Sequence, residues 1–99
     1  MSHRIGVVGA GSWGTALAVH LAHTGHEVRL WARDGALAAQ MASSRENPVY
    51  LPGIQLPSTL APTADLASAL LDAQLVVMAV PSHGIRSVSR AVNVCLPGG

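Results

Sequence analysis

The hydrophobic positions of this chain fall into short apolar runs separated by longer stretches in which apolar and polar residues are mixed. The apolar runs are rich in Val, Ile and Leu and predict strands, whereas the Ala/Leu-rich stretches predict helices. We expect strands at residues 5–8, 27–31, 59–63 and 75–80, and helices at 12–23, 35–41 and 65–71, with a last helix beginning near Ser82. Strands that alternate with helices are typical of βαβ units, in which the paired strands run parallel with a right-handed crossover.

Three glycines follow the first predicted strand at the G-x-G-x-x-G spacing, at positions 9, 11 and 14. In a strand-turn-helix setting this spacing indicates dinucleotide binding, with Gly9 in the turn, Gly11 beside a pyrophosphate and Gly14 beneath a closely packed helix. The unpaired N–H groups at the start of that helix would face the same anion. We therefore predict cofactor contacts from Gly9, Ala10, Gly11 and Gly14.

This setting predicts an α/β fold with a partial, Rossmann-type three-layer parallel sheet of about four strands in the order 3-2-1-4. The first helix is expected to end at Gly25 in a left-handed turn. Its sheet-facing residues are expected to be Gly14, Leu17, Ala18 and Leu21. The fourth strand is expected to be a central one, buried on both faces.

The end of the second predicted strand bears on which dinucleotide would bind. A dinucleotide-binding domain normally carries an acid there for the ribose 2′-hydroxyl, but this chain has Ala32 followed by Arg33. An arginine can hydrogen-bond a 2′-phosphate with its planar guanidinium, so the sequence favours NADP over NAD. A solvated loop arginine is the alternative for Arg33. Asp34 could take the ribose, although its place before a helix favours an N-cap.

Residues 44–62 hold four of the six prolines, and this composition excludes a regular helix or a central strand. The segment also contains apolar residues, namely Tyr50, Leu51, Ile54 and Leu56, which are too many for a linker. We expect it to pack over the sheet edge or the cofactor cleft and to end in the short third strand.

Charge and composition narrow the class of protein. The formal net charge is +1 without a basic run, which gives no electrostatic argument for nucleic acid binding. Residues 5–26 contain no charged side chain, but their five glycines argue against a membrane span. The single cysteine, Cys95, cannot form an internal disulfide, and this fits a cytoplasmic location.

The sequence gives no reason to assign a metal-binding or catalytic role to four of the five histidines or to the cysteine. His20, His23 and His26 recur at intervals of three, but no nearby Cys, Asp or Glu completes a metal site, and we predict none. His83 follows the fourth predicted strand at the edge where ligands of such sheets bind, so its role stays open. Cys95 is expected to pack as a small apolar residue.

The motifs together resemble the amino-terminal part of bacterial NAD(P)-dependent sn-glycerol-3-phosphate dehydrogenases. They are Gly9-Ala-Gly-Ser-Trp-Gly-Thr-Ala-Leu-Ala18, Gly25-His-Glu-Val with Trp31-x-Arg33, Asn47-x-x-Tyr-Leu-Pro-Gly-x-x-Leu-Pro57, and Val80-Pro-Ser-His83. The resemblance implies an enzyme that interconverts dihydroxyacetone phosphate and glycerol 3-phosphate with NADH or NADPH for phospholipid synthesis. It also implies cofactor contacts from Ser12, Trp13, Arg33 and Tyr50.

The catalytic side chains of that family are lysines, and this sequence has no lysine. We therefore assign no catalytic residue and expect residues 1–99 to be a truncated dinucleotide-binding domain, without the helical substrate domain. Such a chain would bind the cofactor but not catalyse, and a homodimer would form through the missing part. Two alternatives stay open at this stage: the cofactor domain of a ketopantoate or β-hydroxyacid type of reductase, and a free-standing dinucleotide-sensing module.

Overall fold

The computed structural model describes residues 3–79. The predicted helix beginning near Ser82, together with His83 and Cys95, lies outside this range. The elements in chain order are β1 (Arg4–Val8), α1 (Ser12–His23), β2 (Glu27–Trp31), α2 (Gly35–Ser44), β3 (Glu46–Asn47), β4 (Leu51–Gln55), β5 (Leu60–Thr63), α3 (Leu66–Leu70) and β6 (Leu75–Met78). No helix within residues 3–79 has the length and apolar character needed to cross a membrane.

Four of these strands form one parallel sheet in the order β5-β2-β1-β6. In the register of the sheet, Val7 of β1 is paired with Leu30 of β2 on one side and with Val77 of β6 on the other. This is the predicted 3-2-1-4 order, which is confirmed. The direction in which successive strands are added reverses between β1 and β6, so the switch point of the sheet lies there.

Helices cover both faces of the sheet, as the three-layer prediction requires. Because side chains alternate along a strand, neighbouring residues of β1 face opposite layers. Val7 packs in the larger core cluster with residues of α1 and α2, whereas Val8 packs with Leu70 of α3 on the other face. The side chains of Val7, Leu30 and Met41 are completely buried in the larger cluster.

The face that α1 turns to the sheet consists of small residues. Its buried residues are Gly14, Thr15, Ala18, Val19 and Ala22. Leu17 and Leu21, which we expected on this face, lie at its flank and are half-buried. Small side chains let the helix axis approach the strands more closely than two leucines would. The helix therefore turns its small residues, and not Leu17 and Leu21, towards the sheet. The predicted stop is confirmed, because Gly25 follows the helix with a φ of 99°.

The proline-rich segment contains a short antiparallel hairpin, formed by β3 and β4, that the sequence did not predict. We had predicted neither a regular helix nor a central strand here, and the hairpin agrees with that prediction because it lies outside the main sheet. Pro52 is accommodated because β4 pairs on one side only, in a separate two-stranded sheet. Gly53 has a φ of 83°, a conformation that favours glycine. Leu56 then enters the core, while Ile54 stays exposed.

Strand β6 is less covered than we predicted. Residues 75–80 were expected to form a central strand buried on both faces, but β6 ends at Met78 and its first residue, Leu75, is 53% exposed. Among residues 3–79 the strand pairs only with β1 and forms one end of the sheet, which explains its partial exposure.

A glycine of β1 supplies a test of the packing between the sheet and α3. A Cβ atom on Gly6 would lie 2.9 Å from the carbonyl oxygen of Ala69, and backbone cannot yield as a flexible side chain does. We expect Gly6→Ala to lower the free energy of unfolding by about 1 to 3 kcal/mol, measured by denaturant titration. Gly35→Ala is the matched control, because its Cβ would meet only Ala64 at 4.0 Å, and it should leave stability unchanged or slightly raised. Equal stability of the two variants would contradict the close packing of α3.

Candidate functional site

A cleft of about 550 Å³ opens at the carboxyl ends of β1, β2 and β6, where the strand order reverses. All eight residues predicted to contact a cofactor line it: Gly9, Ala10, Gly11, Ser12, Trp13, Gly14, Arg33 and Tyr50. The remaining lining residues are Trp31, Ala32, Asp34, Leu37, Met78 and Ala79. We had not predicted that Trp31, Leu37, Met78 and Ala79 would line the cleft, although the positions of the strand ends carry that information.

Residues 9–14 form a glycine-rich loop, and the reason for having a glycine differs from one of its glycine positions to the next. Gly9 has a φ of 119°, so the turn after β1 needs a residue without a side chain. Its N–H donates to the carbonyl of Trp31 across the sheet, at 3.0 Å. Gly14 is needed for space, because a Cβ there would overlap the Gly9 carbonyl oxygen and lie 3.1 Å from the Cβ of Ala79. The predicted roles of these two glycines in the turn and in close packing are confirmed.

Gly11 differs from the other two, because nothing in the described protein requires a glycine there. Its φ of −72° and ψ of −173° suit any residue. A Cβ atom at this position would meet no protein atom within 4 Å, and the residue lines the cleft. The free space beside Gly11 is therefore part of the cleft itself.

The amino terminus of α1 lines the cleft, and N–H groups of its first turn have no hydrogen-bond partner within the helix. Gly11 is its N-cap and offers no side chain, and the first turn contains no acidic residue. The N–H of Thr15 is bonded to the Gly11 carbonyl at 2.9 Å, which leaves the N–H groups of the three preceding residues without a partner in the helix. In contrast, Asp34 and Asp65 cap the other two helices with their side chains. Only α1 among the three described helices thus presents an open, partly positive end to the cleft.

Arg33 is an exposed cation on the β2 side of the cleft. The other three arginines within residues 3–79 bond to the protein: Arg4 to Glu27 and Asp72, Arg29 to the Ser68 carbonyl, and Arg45 to the carbonyls of Pro57 and Leu60. Arg33 makes no hydrogen bond or ion pair with another described residue, so within residues 3–79 none of its five N–H donors has a protein partner.

The neighbouring acid has a structural role. The carboxylate of Asp34 accepts hydrogen bonds from the N–H groups of Ala36 at 2.9 Å and Leu37 at 3.5 Å. The prediction of an N-cap is therefore confirmed. Asp34 follows Arg33 directly, and α2 begins at the next residue, so the cap fixes the short β2–α2 connection that carries Arg33.

Two aromatic side chains stand at the rim of the cleft. Trp13, in the first turn of α1, is 63% exposed, and Tyr50, in the turn between β3 and β4, is 49% exposed. They come from elements far apart in the chain, and both line the cleft. The hairpin therefore forms one wall of the cleft and the glycine-rich loop forms the other.

Asn47 is a polar residue that sequence reasoning did not assign to the site. Its side chain is fully buried, and its Nδ2 donates to the Ala10 carbonyl and to the Thr15 hydroxyl, each at 2.9 Å. Its Oδ1 accepts from the N–H of Tyr50 at 3.2 Å. Asn47 is the first residue of the proline-rich motif that carries the family resemblance, but the motif does not reveal a partner 37 residues away.

The four histidines within residues 3–79 do not line this cleft. His20 and His23 are exposed near the end of α1, and His26 stacks on His3 with ring centroids 5.4 Å apart, at the opposite edge of the sheet. Within residues 3–79 there is no group of three His, Cys, Asp or Glu side chains placed to hold a metal ion.

Comparison with known proteins places this architecture in a family. Residues 4–98 match the family described as "NAD-dependent glycerol-3-phosphate dehydrogenase N-terminus". A glycerol-3-phosphate dehydrogenase [NAD(P)+] from Moorella thermoacetica is 54% identical over 99 residues, which are 100% of this chain and 30% of the relative. The corresponding protein of Xanthomonas euvesicatoria is 46% identical over 98 residues, or 99% of this chain and 29% of the relative.

Solved structures agree with the sequence comparison. A crystal structure of glycerol-3-phosphate dehydrogenase from Coxiella burnetii superposes with a TM-score of 0.93 at 35% identity, covering 98% of this chain and 30% of that one. The chain thus spans about 30% of the length of the relatives it matches. The resemblance carried by the glycine, Trp-x-Arg and proline-rich motifs is confirmed, and it decides against the ketopantoate type of reductase. This chain belongs to the family of NAD-dependent glycerol-3-phosphate dehydrogenases and corresponds to its amino-terminal part.

Proposed function

We propose that this chain binds NAD(P)H in the cleft, as the cofactor domain of an enzyme that interconverts dihydroxyacetone phosphate and sn-glycerol 3-phosphate. One observation carries the proposal: all eight residues predicted to contact the cofactor converge on a single cleft at the switch point of the sheet. Ligands of open α/β sheets bind at that point, outside the carboxyl ends of the strands. The names of the relatives supply the substrate pair.

The glycine-rich loop and the start of α1 fit a pyrophosphate. The open N–H groups of the first helical turn donate hydrogen bonds, and the helix dipole favours a negative charge at this end. The free space beside Gly11 lets the anion approach the backbone itself. Gly9, Ala10, Gly11, Ser12, Trp13 and Gly14 are the residues that would hold this part of the cofactor.

Arg33 fits a 2′-phosphate and favours NADP over NAD. Its guanidinium has no described protein partner, and the residue before it is Ala32, so no carboxylate stands at the position where an acid would repel the phosphate. The carboxylate that follows, Asp34, serves the helix cap instead. Tyr50 and Trp13 then cover the cofactor at the rim of the cleft.

When bound, NAD(P)H supplies a hydride to a carbonyl carbon. The contribution of residues 3–79 is to bind the cofactor, to orient it and to shield it from water with the two rim aromatics. We assign no proton transfer to this chain, because the family's catalytic lysines have no counterpart in its sequence. The substrate site and the proton donor belong to the part of the protein that the relatives carry beyond this domain.

The proposal extends to the cellular role of the whole protein. Glycerol 3-phosphate is the backbone for phospholipid synthesis, and we place the enzyme in the cytoplasm, in agreement with the single cysteine of the chain. A homodimer would form through the part outside this domain. The partners of this domain are small molecules rather than nucleic acid, in line with the net charge of +1.

The first test replaces Gly11. Because a side chain there meets no protein atom but enters the space assigned to the pyrophosphate, we expect Gly11→Val to weaken NADPH binding at least about tenfold without unfolding the protein. Fluorescence titration of NADPH measures the affinity, and circular dichroism checks the fold. Gly35→Val is the matched control and should bind normally. Retained affinity in Gly11→Val would contradict the proposed pyrophosphate site.

The second test concerns the choice of dinucleotide. A hydrogen bond to a charged group contributes roughly 1.5 to 3 kcal/mol, so Arg33→Ala should weaken NADPH binding about ten- to a hundredfold and change NADH binding less than about twofold. Arg29→Ala is the matched control, because Arg29 lies on β2, just before Arg33 in the chain, and bonds to the Ser68 carbonyl instead of lining the cleft. An equal loss for both dinucleotides, or no loss for NADPH, would exclude Arg33 from the 2′-phosphate.

A further inference from the structure

We propose that Asn47 is a positioning residue for cofactor binding: its buried amide aims the backbone N–H of Gly11 at the pyrophosphate and fixes the wall that carries Tyr50. The inference rests on the proposed function, because it concerns how the cleft holds a dinucleotide. Asn47 itself is fully buried and does not line the cleft, so its effect is exerted through the residues it bonds.

The orientation of the Asn47 amide is determined by its partners. The Ala10 carbonyl can only accept hydrogen bonds, so it must face the Nδ2 side of the amide, at 2.9 Å. The second N–H of Nδ2 donates to the Thr15 hydroxyl at 2.9 Å, and that hydroxyl donates to the same Ala10 carbonyl at 3.2 Å. The carbonyl therefore receives two hydrogen bonds in a buried, low-dielectric setting, where such bonds are strong.

A fixed carbonyl also fixes the N–H on the other side of its peptide group. The peptide between Ala10 and Gly11 is planar and trans, so its C=O and N–H point in opposite directions. Because the carbonyl is held towards the buried side chains of Asn47 and Thr15, the Gly11 N–H is held away from them. Gly11 lines the cleft. Its N–H therefore joins the three open N–H groups of the first helical turn as a donor to the proposed pyrophosphate.

The acceptor end of the same amide holds the opposite wall. Its Oδ1 accepts from the N–H of Tyr50 at 3.2 Å, in the turn of the hairpin. The phenol ring of Tyr50 is half exposed and lines the cleft, so its position depends on this turn. One side chain thus sets both the direction of a donor in the glycine-rich loop and the place of the rim aromatic facing it.

Every buried side-chain nitrogen and oxygen atom within residues 3–79, those of Asn47 and Thr15 included, has a hydrogen-bond partner. A substitution that keeps the shape of Asn47 but removes its donors is therefore a specific test. Asn47→Asp keeps an acceptor for the Tyr50 N–H but sets a carboxylate oxygen against the Ala10 carbonyl, which turns the Ala10–Gly11 peptide.

The experiment compares two ligands on the full-length protein. NADPH contains the pyrophosphate, whereas adenosine 2′-phosphate keeps the adenosine and the 2′-phosphate but lacks it. We expect Asn47→Asp to weaken NADPH binding about ten- to a hundredfold and to change the affinity for adenosine 2′-phosphate less than about threefold, both by titration calorimetry. In Asn47→Ala a water molecule can partly replace the lost amide, so this variant should also weaken NADPH binding, but less. Asn47→Ala is the variant to measure if Asn47→Asp does not fold.

Thr59→Val is the control for the general effect of removing a side-chain hydrogen bond from the fold. It removes a hydroxyl that donates to the Ala22 carbonyl at 3.3 Å, away from the cleft, and should leave the affinity for both ligands unchanged. Unchanged NADPH affinity in both Asn47 variants, or an equal loss for the two ligands, would overturn the positioning role. Absence of NADPH binding in the unsubstituted protein would overturn the proposed function, and the inference with it.

Discussion

The close approach of α1 to the end of β1 is the constraint on which the remaining structure depends. The helix begins directly over the turn, and only hydrogen at Gly14 fits against the Gly9 carbonyl. The small residues of its inner face continue this contact along the sheet, so the helix axis is set by backbone geometry rather than by large interlocking side chains. As a result, the open amino terminus of α1 lies at the strand ends and not beyond them.

The cleft follows from that position. Parallel strands end at one edge, and the reversal of strand order between β1 and β6 leaves a gap there that neither crossover helix covers. The glycine-rich loop forms one wall of this gap, the hairpin with Tyr50 forms the opposite wall, and the β2–α2 connection brings Arg33 to its side. The scaffold therefore holds the charge and the hydrogen-bond donors of the site in place without a ligand. Less conformational entropy is then lost when a ligand binds.

The features that the sequence predicted correctly are those with a local physical cause. The four strands of the sheet, the three described helices, the Gly25 stop and the Asp34 cap depend on residues within one turn or one strand. The positions of Gly9, Gly11, Gly14 and Arg33 at the cleft could be predicted because the glycine spacing and the strand ends define the switch point. Ser12, Trp13 and Tyr50 were expected only from the family resemblance. The hairpin was missed because its two-residue and five-residue strands gain their stability from docking. The inner face of α1 was predicted incompletely, because hydrophobicity favours leucine where close packing requires a smaller residue.

The hydrogen bonds of Asn47 also bear on how the site forms during folding. They join residues 37 and 32 positions apart, so both walls of the cleft meet only after a long segment of chain has closed. The entropy of that closure is lost before any contact across the cleft compensates for it, and contacts of such sequence separation form late. The β1–α1–β2 unit, whose two strands are 23 positions apart in register, can assemble from neighbouring segments first. A dinucleotide held by both walls, as proposed above, would shift the population towards chains in which the hairpin has docked.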